Sequence, residues 1–79
     1  MISILFKGNK SMQFELKDEY IELYKLIKVL DLVDSGAEAK QIVAHGYVVR
    51  NGEKEERKRA KIRKGDVLEI GDEVTIEIV

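Results

Sequence analysis

Cysteine, proline and tryptophan are all absent from this sequence of 79 residues, and histidine occurs once, at His45. Without cysteine there can be no disulfide framework, no zinc knuckle and no thiol nucleophile. A lone histidine with no carboxylates grouped at ligand spacing does not make a metal site, so neither metal nor cofactor is expected. No run of proline, glycine or serine marks a linker. The expectation is one domain over residues 1–79, with a motif core at about 12–78 and residues 1–11 as an added N-terminal strand. No stretch approaches the roughly 20 apolar residues that span a bilayer. The opening MISILFKGNKS has too short an apolar run, and the wrong charge order, for a secretory signal, so a cytoplasmic location without membrane contact is expected.

Recognisable catalytic patterns are missing too. Gly46, Gly52 and Gly65 fit neither G-x-G-x-x-G nor G-x-x-x-x-G-K-[ST], and they read as turn glycines. Ser35 lies in no nucleophile elbow and reads as a helix cap. No enzyme and no small-molecule substrate are therefore expected.

What the chain does have is charge, unevenly placed. Apolar residues make up 44% and charged residues 37%, a balance that suits a folded soluble chain. Between Arg50 and Lys64, eight cations (Arg50, Lys54, Arg57, Lys58, Arg59, Lys61, Arg63, Lys64) face three glutamates (Glu53, Glu55, Glu56), a local charge of +5. The whole chain carries −1, so the remainder carries −6. Surface lysine and arginine are common, and a solvated face is the plain reading of such a run. Crowded like charges repel, however, and a polyanionic partner accounts for their concentration.

The pattern around that run predicts α+β architecture: a two-helix pair packed on a small antiparallel or mixed sheet. Ile2–Phe6 is β-prone, Lys7–Ser11 reads as a loop, and Met12–Leu16 alternates apolar with polar. Asp18 is placed to cap a first helix, in which Tyr20, Leu23, Tyr24, Ile27 and Leu30 form one stripe and which ends near Leu32 or Val33. Ser35 with Glu38 three positions on forms a capping box, and Gly46 suits a left-handed stop, giving a second helix over about Gly36–His45 that packs through Ala37, Ile42 and Val43. Tyr47–Val49 is strand-like, and Asn51-Gly52 is a type I′ hairpin dipeptide. Val67–Ile70 and an alternating Val74–Ile78 supply further strands, separated by turn residues.

Taken in order, L-x-x-V-D-S-G, A-E-A-K-Q-I-V, H-G-Y-V-V-R-N-G and R-K-R-A-K-I-R-K-G-D-V-L-E-I resemble the S4 RNA-binding domain. Within that family the chain is most similar to a small stand-alone bacterial branch, the YaaA/YbcJ-like proteins; many S4 domains carry an arginine at the corner where this chain has Asp34-Ser35-Gly36. The resemblance implies the L-shaped (αL) motif, in which two helices and the following β-turn contact structured RNA, ribosomal or transfer. Carried over, it implies an RNA-binding set of Ser35 and Gly36 at the inter-helix corner, Lys40 on the second helix, Arg50, Asn51 and Gly52 at the turn, and Arg57, Lys58, Arg59 and Lys61 as a positive lip. It further implies a role on the ribosome, in assembly or in rescue of stalled subunits. The start of the second helix, near Gly36 and Ala37, offers a further anion site. Phe6 and Phe14 read as core, which favours shape recognition over base stacking and leaves Tyr47 as the aromatic beside the basic run. A second reading is a protein-interaction module that recruits a partner through an exposed strand edge or through the acidic remainder of the chain.

Overall fold

The computed structural model describes residues 10–71 and 73–79. The expected strand at Ile2–Phe6 and most of the expected loop after it lie outside the described residues. Among the described residues seven strands and two helices follow one another: β1 Lys10–Phe14, β2 Ile21–Glu22, α1 Leu23–Val29, α2 Gly36–Ala44, β3 Val48–Arg50, β4 Glu53–Lys54, β5 Lys61–Ile62, β6 Val67–Ile70 and β7 Val74–Ile78. The main sheet runs β1-β7-β6-β3-β4, and a two-stranded sheet joins β2 to β5. β1 pairs with β7 in parallel, whereas β7, β6, β3 and β4 pair antiparallel, so the main sheet is mixed. The α+β architecture expected from the sequence is thus the one observed.

Strand alternation produces the core directly. In β7 Val74, Ile76 and Ile78 are buried, and in β6 Leu68 and Ile70 are buried, while Val67, Glu69 and Glu77 point outward. Leu23, Leu26 and Ile27 of α1 and Ala39, Ile42 and Val43 of α2 fill the other side of one cluster. The contact alanine of α2 is Ala39; Ala37, expected in that role, is exposed. Ala39 falls on the same stripe as Ile42 and Val43, three and four positions on, whereas Ala37 does not.

Helix α1 is shorter at both ends than its periodicity suggests. Ile21 and Glu22 are extended because they pair with Ile62 and Lys61. The first helical N–H groups then find backbone acceptors: Leu23 donates to the Ala60 carbonyl and Tyr24 to the Lys58 carbonyl, each at 3.0 Å. The expected Asp18 cap has no place in that arrangement. Its job of satisfying orphan donors passes to the chain segment that carries the basic run. At the other end Asp31 has φ of 60°, so the helix stops before Leu32 and Val33, which are buried in the connection that follows. Asp31 donates its N–H to Lys28 and Leu32 to Ile27, the paired bonds of a Schellman stop. Helix α2 ends likewise, Gly46 (φ 78°) donating to Val43 and Tyr47 to Ile42.

Its start is as the sequence indicates: Ser35 is the N-cap, and its hydroxyl accepts the Glu38 N–H at 3.2 Å. The Asn51-Gly52 turn also forms, with φ of 52° and 86° and Arg50 opposite Glu53. Strand β1 starts earlier than expected, taking in Lys10 and Ser11, because those residues find partners in Val74 and Thr75 of β7.

Candidate nucleic-acid interface

The basic run leaves the hairpin, makes a turn in which Ala60 donates to the Arg57 carbonyl, and returns as β5. Since β5 pairs with β2, the run is held against the start of α1. Two arrangements of charge follow, and they differ in kind.

The first is an inward knot around Arg50. Its Nε and Nη2 donate to Asp66 Oδ2 at 3.2 and 2.8 Å, Nη2 also donates to the Lys61 carbonyl at 2.8 Å, and Nη1 donates to Glu55 at 3.5 Å. Asp66 accepts in addition from the Asn51 side-chain amide at 3.0 Å and the Arg63 N–H at 2.8 Å. Asn51 closes the circuit by accepting the Val67 N–H at 2.9 Å. Glu55 is only 8% exposed and takes Arg57 Nε and Nη2 at 3.0 and 3.2 Å. The Arg57 hydrogen bonds hold the Glu55 carboxyl below its ordinary range, outweighing a burial effect of opposite sign. Burial likewise pushes Asp66 upward, but the Arg63 N–H and the Asn51 and Arg50 side chains outweigh it, and Asp66 too sits below the ordinary aspartate range.

The second arrangement faces outward and is built on tyrosines. Over the Tyr24 ring stand Lys40 Nζ at 4.9 Å, the Arg59 guanidinium carbon at 5.9 Å and Lys25 Nζ at 6.0 Å. Over the Tyr20 ring stand Lys61 Nζ at 5.0 Å and the Arg63 guanidinium carbon at 5.8 Å. Both rings attract cations through their negative faces, so five cations from α1, α2, β5 and the flanking loops are drawn to adjacent spots. Glu22 lies among them, 3.0 Å from Lys25 and 3.7 Å from Arg59. Its hydrogen bond raises the Lys25 ammonium above the ordinary lysine range.

Of the residues picked from the sequence, Arg50, Arg57, Arg59 and Lys61 line one groove of about 330 Å³ together with Ala60. Lys40 joins Arg59 through Tyr24. Lys58 is exposed on the turn between Arg57 and Ala60. Asn51 lines a neighbouring hollow with Arg50, Lys54 and Arg57, and Gly52 is at the exposed hairpin tip. Ser35 and Gly36 start α2, and Gly36 opens onto a different cleft, shared with Lys25 and Lys28. A side-chain carbon added at Gly36 would meet nothing within 4 Å, and Glu38 in the same first turn already complements the helix dipole.

Sequence reasoning missed Tyr20, Tyr24, Lys25 and Arg63. Tyr20 and Tyr24 are legible only as part of a helical stripe; apart from Lys25, their cation partners come from residues 40 and 59–63 and leave no local signal. Tyr47, the aromatic expected beside the basic run, is exposed next to His45 instead, ring centroids 6.2 Å apart.

With this geometry in view, comparison with known proteins gives a family. Residues 14–79 match the S4 domain, and the chain belongs to that family. A search of curated proteins finds no match. Among solved structures the chain is similar to the 30S ribosomal protein S4e from Thermoplasma acidophilum, at 27% identity and a TM-score of 0.53. That similarity covers 70% of this chain and 29% of the ribosomal protein, so this chain corresponds to less than a third of its relative. Among the described residues, no helix is long and apolar enough to cross a membrane.

Proposed function

We propose that this chain is a non-catalytic RNA-binding module that grips structured RNA, ribosomal or transfer, by backbone charge and helical shape. One observation carries the reading: cations distant in sequence, Lys40 on α2 and Arg59 and Lys61 after the hairpin, are gathered on two tyrosine rings that line one cleft. Cations pinned by a ring lose little further freedom on meeting a phosphate, whereas free lysines must first be ordered. Arg57 adds a side chain that is 76% exposed, its Nε and Nη2 held by Glu55 and its remaining N–H groups without a carboxylate partner among the described residues, suited to phosphate oxygens.

Membership of the S4 family and the likeness to a 30S ribosomal protein support an RNA partner on the ribosome. The Asp34-Ser35-Gly36 corner supports placing the chain in the stand-alone YaaA/YbcJ-like branch, which fits a part in subunit assembly or in rescue of stalled subunits. The whole is read as one S4 unit over residues 1–79 working in the cytoplasm. Recruitment of a protein through a strand edge draws less support at β4, one end of the main sheet, which is two charged residues long, the kind of edge that resists pairing. The test is photocrosslinking to a ribosomal RNA fragment with peptide mapping. Crosslinks are expected on peptides holding Lys40 and residues 57–61. Crosslinks confined to β1 and β7 would overturn the proposal.

A further inference from the structure

We infer that the cleft beside Tyr20 is a nucleobase site: it takes one unpaired guanine of the bound RNA, stacked on Tyr20, with Asp18 accepting from its Watson–Crick edge. The inference rests on the RNA-binding reading above and adds to it a base preference that backbone contacts do not supply. The cleft has a volume of about 970 Å³, and Asp18, Tyr20, Ile21, Tyr24 and Val29 contribute to its lining. Its size is at the upper end of sites that hold small organic ligands. Its walls hold more exposed apolar surface than a charge-reading face needs, Tyr20 being 39% and Val29 61% exposed.

Position argues for a nucleotide as the occupant. Lys61 and Arg63 stand over the same Tyr20 ring that lines the cleft, so a phosphate held by those cations leaves its own base within reach of the ring. Unpaired bases in RNA are commonly held by such stacking. The polar groups then argue for the kind of base. Of the cleft carboxylates, Glu22 lies against Lys25 and Arg59 and Glu19 lies 3.7 Å from Arg63, while Asp18 has no ion-pair partner among the described residues. An ionised carboxylate only accepts hydrogen bonds. Guanine offers it two adjacent donors, N1–H and the exocyclic amine, which two carboxylate oxygens can meet side by side. Uracil offers one N–H flanked by two carbonyls that a carboxylate repels. A carboxylate beside a polyanion is costly unless it meets such donors.

The experiment is fluorescence anisotropy with the full chain and three hairpin RNAs of equal length: fully paired, with a single bulged guanine, and with a single bulged uracil. The bulged-guanine RNA should bind about tenfold tighter than the paired one, the range expected for one stacked base; the bulged-uracil RNA should gain much less. Tyr20→Ala, which also frees Lys61 and Arg63, should weaken all three RNAs and in addition erase the margin of the bulged-guanine RNA over the paired one, Tyr20→Phe should keep that margin, and Asp18→Asn should narrow the guanine-to-uracil ratio. Equal affinity for all three RNAs, or equal weakening of all three by Tyr20→Ala, overturns the guanine site and leaves the RNA-binding reading standing. No measurable binding of any of them overturns that reading, and the site with it.

Discussion

Arg50 and Arg59 belong to one charged run, yet the fold uses them in opposite ways. Arg50 is 22% exposed at its side chain and has its guanidinium shared among Asp66, Glu55 and the Lys61 carbonyl. Arg59 is 66% exposed, leans on Tyr24 and meets Glu22 only at 3.7 Å. The difference lies in what each guanidinium loses by leaving water. Inside the knot, partially desolvated charges are stabilised only by complete pairing, so removing one partner strands the others. On the tyrosine face, exposed cations contribute little to stability and remain available to an incoming anion. The +5 that stands out in the sequence is therefore two populations, one that holds the hairpin against β6 and one that is offered outward.

The widest separation between them should come from reversing the outward set. Lys58→Glu, Arg59→Glu and Lys61→Glu together are expected to weaken binding of a structured RNA by at least about a hundredfold at moderate salt, while the urea midpoint moves little; a large stability loss without a binding loss would merge the two regions. Asp66→Ala is the converse. Removing the acceptor of Arg50, Asn51 and the Arg63 N–H should cost about 2–3 kcal/mol of stability by urea titration, with the salt dependence of RNA binding in the folded protein unchanged.

Acid reaches the same knot more gradually. Glu55 and Asp66 both have folded-state values below their ordinary 4.5 and 3.8, so each stabilises the fold above that range and loses its contribution as pH falls through the lower folded value. Stability should thus be flat from neutral pH down to about 5 and drop below it, and the drop should shrink in Glu55→Gln. The smallest effect is at the hairpin tip: Gly52→Ala, at φ of 86°, should cost about 1 kcal/mol with RNA affinity nearly unchanged.

How far these features were legible follows from where their causes lie. Helix α2 and the hairpin could be read because each carries its own boundary chemistry: the Ser35 hydroxyl on the Glu38 N–H, Gly46 in the left-handed stop, Asn51-Gly52 in the turn. The extent of α1 could not, because its first residues are taken into a ladder with Lys61 and Ile62 and its capping acceptors are the carbonyls of Lys58 and Ala60. Asp31 in the left-handed region was a weak signal beside a glycine, and the apolar Leu32 and Val33 beyond it imitate further helix. The charged run showed that a basic surface exists, but its division was hidden, since Glu55 and Asp66 look like any other acidic residues until β3, β4 and β6 bring them to Arg50. Tyr20 and Tyr24 were hidden for the same reason, as all but one of their cations come from positions distant in the sequence.

The account depends on outward cations meeting phosphates, and the salt dependence of binding measures this most directly. With Lys40, Arg57, Lys58, Arg59 and Lys61 each neutralising one phosphate, log affinity against log salt should fall with a slope of about −4 to −5, a loss of several hundredfold between about 50 and 200 mM. A slope near zero, with tight binding retained at the higher salt, would contradict it.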